Sequence, residues 1–419
     1  MRKMIQIDEK AIKNNLINLK HIIFEVTEKC NLNCKYCGLS DQLYKKYHDR
    51  SKRDLPFRKA KLMIDYLINL WRENTIMDTN FRFAVGFYGG EPLMNIKLIR
   101  EIINYIDQSE ITGRQILYSM TTNAMLLDKY MDFLAENKFN LLISLDGDEK
   151  SQGYRIDTFS NNSFKQVMRN IQLLQYKYPE YFSESVNFNS VLHNLNDIEP
   201  IIDFFKTQFN KLAKISLLNS SGIADEKKED FRKMYQNMSQ SLMKSPNCQA
   251  IEEEFFLETP KGYSISRYLY NASGNIFYNY NQLFMQKLID NEISTGTCTP
   301  FSKKLFVSAD GKILPCERID HDFKVGYIHD DFVELDYQFV ADRHSHFLSK
   351  SAKQCMSCAS NKYCPQCIYY IDDIRNTTSH CSEFCTTEKY KVDKQRIFSY
   401  LRLHPHYYEK VLNEVSFTI

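Results

Sequence analysis

With 419 residues and 43% hydrophobic side chains, the chain has apolar material for a large core and a smaller appendage, so two domains are expected. A net charge of only +2, with no long acidic or basic block, gives no electrostatic reason to expect nucleic acid or a membrane surface as partner. The first twenty residues are charged throughout and no later stretch approaches the ~20 apolar residues of a membrane span, so a cytoplasmic protein is expected. In a reducing compartment its twelve cysteines would serve metal sites or catalysis rather than structural disulfides.

From residue 21 to about 217, short apolar and β-branched runs alternate with helical patterns. Strands are expected at HIIFEV (21–26), FRFAVGF (81–87), QILYSMTT (115–122), FNLLISL (139–145), SVNFNSVL (185–192) and LAKISLL (212–218). Apolar residues at helical spacing mark 58–71, 97–107, 127–137 and 163–175. Six strand–helix units in succession build a parallel sheet, closed or partly closed into a barrel, with function at the carboxyl ends of its strands. The expected class is therefore α/β, with a partial (β/α)6 barrel over residues 1–218. Residues 219–296, more polar and aromatic and carrying the charged run DEKKEDFRK, are read as mainly helical connecting structure. Eight cysteines lie between 298 and 385, so 297–385 is expected to form a small cysteine-held domain, followed by a helical tail over 386–419. Within it, KLFVSADGKILPC (304–316) reads as a hairpin around Asp310-Gly311.

CNLNCKYC places Cys30, Cys34 and Cys37 in the loop after the first strand. A structural zinc site takes four protein ligands, whereas a 4Fe-4S cubane has four metal corners, so three thiolates leave one iron open. Taken alone the triplet also admits a zinc site. C-x-x-x-C-x-aromatic-C at this position resembles the radical S-adenosylmethionine (SAM) superfamily, in which the open iron binds SAM. YGGEP (88–92), TTN (121–123) and SLDG (144–147) fall on successive strand ends and extend the resemblance across the barrel. It implies cofactor contacts from Tyr36, from Gly89, Gly90, Glu91 and Pro92, and from Asn123, Ser144, Asp146 and Arg155, with Val191 and Leu192 lining the adenine.

Cys298, then Gly311 with four residues before Cys316, then Cys355, Cys358, Cys364, Cys367, Cys381 and Cys385 resemble the SPASM extension of peptide-modifying radical SAM enzymes. CPQC (364–367) has two intervening residues where that pattern usually has three. The resemblance assigns Cys355, Cys358, Cys364 and Cys381 to an outer auxiliary cluster, and Cys298, Cys316 and Cys367 to an inner one. Cys385 is either the inner cluster's fourth ligand, interchangeable with Cys381, or no ligand, in which case an inner iron is open. A zinc-ribbon-like domain is the competing reading of paired CxxC units. Cys248 reads as an ordinary thiol.

The resemblance implies three 4Fe-4S clusters, one binding SAM and two auxiliary, with SAM cleaved to a 5'-deoxyadenosyl radical that removes hydrogen from an unactivated carbon. Glu317, directly after Cys316, is the expected base, although it also reads as a partner for Arg318. SPASM enzymes mainly modify peptides. CGLSDQLYKKYHDR (37–50) and CERI (316–319) look similar to Bacteroidetes-type maturases of double-glycine-leader precursors. The expected substrate is a ribosomally made precursor peptide and the expected product a thioether, ether or carbon–carbon crosslink, with electrons from a flavodoxin- or ferredoxin-type reductant. The alternatives are an anaerobic sulfatase-type maturase that forms formylglycine, and a non-catalytic iron–sulfur carrier.

Overall fold

The computed structural model describes residues 3–4, 7–39, 42–44, 52–74, 81–220, 222–254, 260–273, 292–293, 297–361, 364, 366–371, 374–375, 381 and 383–414. Most of the 37–50 stretch falls outside the described residues. The chain forms two compact units. One comprises Asp8–Asn237 and Cys298–Arg343; the other comprises Met1–Ile7, Met238–Thr297 and His344–Ile419.

The first unit is built on a ten-stranded sheet. Strands β1 (His21–Thr27), β2 (Phe81–Gly89), β3 (Arg114–Thr122), β4 (Asn140–Ser144), β5 (Val186–Leu192) and β6 (Ala213–Leu217) lie side by side in chain order, each parallel to the next. All six match the expected strands to within a few residues. The connecting helices include α1 (Glu9–Ile17), α2 (Phe57–Arg72), α3 (Ile96–Asp107), α4 (Leu127–Glu136), α5 (Phe164–Lys177), α6 (Pro179–Ser185) and α7 (Ile198–Phe209). α2 buries Ala60, Met63, Ile64, Leu67, Ile68 and Trp71, a single stripe at helical spacing. It meets Ile22, Phe83 and Val85 on the sheet. α3 starts where the Asn95 side chain accepts from Leu98 N at 3.4 Å, which satisfies one of the amides a helix start leaves open.

Beyond β1 the sheet continues in the other direction through β7 (Leu305–Val307), β8 (Lys312–Leu314), β9 (Gly326–Ile328) and β10 (Val333–Glu334). The expected hairpin is present: β7 and β8 are antiparallel, with Ile313 opposite Val307. The expected division placed this hairpin with the later cysteines, and the compact units do not follow that boundary. β7 runs parallel to β1, with Ile22 opposite Leu305 and Phe24 opposite Val307, and the fully buried Leu305, Phe306 and Val307 complete the sheet. Burying three such side chains on the sheet stabilises by about 1.5–3 kcal/mol each, which ties 298–343 to the barrel.

Strand alternation gives the parallel sheet two unlike faces. Ile22, Phe24, Phe83, Val85, Phe87, Tyr118, Met120, Leu141, Ile143, Val186 and Phe188 are buried, and those near α2 pack on it. On β3 to β6 the residues of the other face are half-buried or exposed and many are polar, among them Gln115, Ser119, Asn140, Asn187, Asn189, Lys214 and Ser216, whereas on β1 and β2 that face also buries Ile23 and Gly86. In the second unit the described helices include Met238–Met243, Cys248–Glu254, Pro260–Ser273, Thr387–Leu403 and His406–Glu414. Ile265, Leu269, Tyr407 and Val411 form a small apolar core there. No helix among the described residues is long and apolar enough to cross a membrane.

Candidate functional site

The loop after β1 carries Cys30, Cys34 and Cys37. It is pinned on one side by the 154–157 segment, where Asn33 N donates to Ile156 O at 2.7 Å and Lys35 N to Tyr154 O at 3.0 Å. YGGEP pins the other side. Gly90 N donates to Thr27 O at 2.9 Å and Glu91 N to Lys29 O at 2.8 Å. A Cβ on Gly89, which has φ +144°, would lie 2.2 Å from Thr27 O, and one on Gly90 would lie 2.2 Å from Lys29 O. The close approach that makes these positions glycine is therefore to the backbone leading into Cys30. Gly90→Ala should cost about 1–3 kcal/mol through forced backbone displacement, read by urea denaturation, and should lower the iron retained per chain on reconstitution.

Glu91 is buried and points away from solvent. It accepts from Leu93 N at 3.1 Å, Thr122 Oγ1 at 2.8 Å and Asn123 N at 2.7 Å. Burial pushes its carboxyl up to about 7, with the donors offsetting part of that effect. Asn123, held at its backbone by Glu91, donates from Nδ2 to Asn31 Oδ1 at 2.8 Å and to Cys30 Sγ at 3.8 Å. Leu32 N also donates to Cys30 Sγ, at 3.4 Å. Pro92 opens the short helical turn Pro92–Asn95 and is buried. YGGEP and TTN thus act together as a clamp behind the first cysteine.

Asp146, with no exposed surface, organises a second cluster behind Cys34 and Cys37. Its Oδ1 accepts from Val191 N at 3.0 Å, and its Oδ2 accepts the Tyr36 hydroxyl proton. Arg155 Nε stands 3.1 Å from the same oxygen in a buried ion pair, and the buried His193 Nε2 lies 3.5 Å from it. His193 Nδ1 accepts from Leu195 N at 3.2 Å, so the neutral ring carries its proton on Nε2, facing Asp146. Burial works to raise the Asp146 carboxyl, but Arg155, His193 and the Tyr36 hydroxyl together outweigh it and hold the group below the usual carboxylate range. Burial likewise raises the Tyr36 phenol well above its usual value. His193 escaped the sequence reading. The only signal was its place one residue after a strand end.

Of the remaining proposed SAM contacts, Ser144 and Val191 lie on the half-exposed face of the sheet at the carboxyl ends of β4 and β5, while Leu192, one residue on, is fully buried on the other face. Val191 packs against a cluster containing Tyr36 and Tyr44.

The three loop cysteines are free thiols near enough to feel one another's charge: Cys37 acts on Cys30, and both act on Cys34. Burial first, and then these neighbours against Arg155, push the Cys34 thiol up to about 12. Three adjacent thiols become thiolates together only when a cationic metal group offsets their repulsion. The donor set, with N–H groups aimed at Cys30 sulfur, fits an iron–sulfur cluster. Among the described residues no three ligand-type side chains converge as the ligands of one metal ion would. Thiolates on separate corners of a cubane stand further apart.

In the second unit, Cys355 feels Cys364, Cys381 and Cys358, and Cys381 feels Cys364 and Cys358. Cys385 lies beside them, its backbone N–H donating to Cys358 Sγ at 3.4 Å. Cys367 belongs to the same unit, whereas Cys298 and Cys316 belong to the sheet unit. Glu317 forms an ion pair with Lys304 (2.9 Å), with Arg318 at 3.7 Å and Cys316 Sγ at 3.5 Å from its carboxylate. Burial alone would raise its carboxyl; Lys304 reverses this and keeps it low. Cys248 opens a helix in the second unit.

The Radical SAM superfamily model matches residues 24–206, which span β1 to α7 and both clamps around the cysteine loop. The chain carries a radical SAM domain. That domain makes the protein an enzyme using a 4Fe-4S cluster and SAM, and sets aside the non-catalytic carrier. The cysteine-type anaerobic sulfatase-maturating enzyme of Clostridium novyi (strain NT) is 28% identical over 360 residues, covering 84% of this chain and 87% of that one. The radical SAM cyclopropyl synthase TigE of Paramaledivibacter caminithermalis is 24% identical over 313 residues, covering 71% of this chain and 57% of that one. The solved structure of native anSMEcpe with bound AdoMet shares the fold, with a TM-score of 0.60 at 20% identity over 94% of this chain and 100% of that one. The relatives thus include a sulfatase-maturating enzyme and a cyclopropyl synthase.

Proposed function

We propose that the protein is a radical SAM maturase that installs an intramolecular thioether, ether or carbon–carbon crosslink in a ribosomally made precursor peptide. With cluster and SAM bound, the chemistry supplied is one-electron cleavage of SAM and hydrogen-atom abstraction from a substrate carbon. Cys30, Cys34 and Cys37 hold that cluster. Cys355, Cys358, Cys364 and Cys381, mutually close in one unit, hold an auxiliary cluster, with Cys385 beside them a further candidate ligand, and the sequence resemblance implies a second auxiliary cluster. A flavodoxin- or ferredoxin-type protein supplies electrons.

The observation that carries the peptide reading is the polar face of the sheet. Gln115, Asn140, Asn187 and Asn189 present amides from successive strands, with the hydroxyls of Ser119 and Ser216 among them. Such a surface hydrogen-bonds a peptide backbone without requiring one side chain. Glu317, ionised beside Lys304, accepts the proton that leaves the substrate as its radical is oxidised. Formylglycine formation on a sulfatase is the second reading, favoured by the extent of the match to the Clostridium novyi enzyme.

The test uses anaerobically reconstituted protein with SAM and a reductant. About twelve irons per chain, falling to about eight with 5'-deoxyadenosine formation abolished in a Cys30→Ala/Cys34→Ala/Cys37→Ala variant, is the expected result. Candidate precursor and sulfatase-derived peptides are then compared by mass spectrometry. Loss of two hydrogens from the precursor supports the crosslink; an aldehyde trapped by a hydrazide on the sulfatase peptide alone overturns it.

A further inference from the structure

An open cavity of about 400 Å3 lies against the cluster loop, within the sheet unit. Its charged lining is three lysines, Lys35, Lys227 and Lys233, against one carboxylate, Asp230. Lys227 and Asp230 are 3.6 Å apart, and the Lys227 side chain is 41% exposed. Lys35 sits between Cys34 and Cys37. Tyr154, also in the lining, meets the Tyr36 ring edge-on at 6.2 Å between centroids, and Tyr36 directly precedes Cys37. The cavity is therefore one aromatic pair away from the cluster ligands. It is positive where the chain as a whole, at +2, is nearly neutral.

The helix Lys228–Met234 shows why the charge is local. DEKKEDFRK carries as many acids as bases, yet Asp230 is the one acid of that run among the cavity's lining residues, which take Lys227 and Lys233 from it. Lys228 instead pairs with Asp225 at 2.9 Å, and Arg232 with Glu229 at 3.5 Å. A cationic hollow of this kind raises the local concentration of an acidic protein and orients it.

We propose that this lysine-rimmed cavity is the docking site of an acidic, low-potential electron-carrier protein, which it seats against the Cys34–Cys37 loop. The proposal rests on the radical SAM reading, because only that chemistry consumes an electron at this loop. The balance is simple: the carrier is oxidised by one electron, the cluster is reduced by one, and no bond to the protein forms or breaks.

The test compares reconstituted wild type with a Lys227→Glu/Lys233→Glu variant, using flavodoxin as the probe. Isothermal titration with oxidised flavodoxin at low salt should show a Kd at least tenfold weaker in the variant, and the strong salt dependence of the wild type should flatten. Flavodoxin-driven 5'-deoxyadenosine formation should fall in parallel, while dithionite-driven formation stays at the wild-type rate. A Lys227→Gln/Lys233→Gln variant should fall between. Unchanged flavodoxin affinity overturns the proposal. So does an equal loss with dithionite, or a loss confined to reactions containing peptide, which would assign the cavity to substrate. Absence of SAM cleavage in wild type with either reductant would instead sink the radical reading, while the binding titration still decides the docking site.

Discussion

Asp146→Ala should destabilise the protein by about 3–5 kcal/mol, among the largest effects of any single substitution in the sheet unit. The reason is what it leaves behind. Arg155, with 9% of its side chain exposed, would be a buried guanidinium without its counter-charge, and the Tyr36 hydroxyl and Val191 N–H would lose their acceptor. Asp146→Asn preserves the shape and should cost nearly as much, since what is missing is charge. Removing the stranded cation as well, in Asp146→Asn/Arg155→Met, should recover a substantial part of the loss. Urea denaturation of the three variants checks this; a double variant no more stable than Asp146→Asn would show that the guanidinium is not the source of the cost.

The same carboxylate predicts an acid limb. Its folded pKa lies below the ordinary 3.8, so its stabilisation is fully present above that value and is lost as pH falls through the lowered one. The stability gap between wild type and Asp146→Asn should thus be constant from neutral pH down to about 4 and close below it.

How much of this was readable from the chain depends on range. Each strand announced itself, because β-branched and apolar runs of strand length stand between helices with a clear apolar stripe. The hairpin over 304–316 was equally local: two short runs around Asp310-Gly311. Its place in the sheet was not local. β7 pairs with β1 across almost three hundred residues, and a three-residue strand carries too little pattern to declare its partner. The closeness of Cys30, Cys34 and Cys37 to one another, and of Cys355, Cys358, Cys364 and Cys381, was legible because short spacing is a property of sequence. The clamps behind them were legible only as motifs. The resemblance points Glu91 and Asp146 toward SAM, and in the fold their hydrogen bonds and ion pairs run to the protein's own backbone, Thr122, Tyr36, Arg155 and His193. His193 reaches Asp146 because β4 and β5 are neighbours, a relation that appears only once the sheet is assembled.

Glu91→Ala should be the other large loss, at least about 3 kcal/mol, because three buried donors lose their acceptor together. Two of them, Leu93 N and Asn123 N, belong to backbone that has no freedom to turn away. Asn123 also donates toward Cys30 sulfur, so its displacement should lower the iron held per chain as well as the urea midpoint. Glu91→Gln keeps an acceptor oxygen and should recover part of both. The comparison has a pH signature of opposite sign to that of Asp146. A carboxyl raised from 4.5 to about 7 favours the folded state fully below 4.5, and that contribution is lost as pH rises through 7. Glutamine does not titrate, so the advantage of wild type over Glu91→Gln should shrink between pH 5 and pH 8. An advantage that grew over that interval would mean that the three donors, rather than burial, set the proton affinity of this carboxylate.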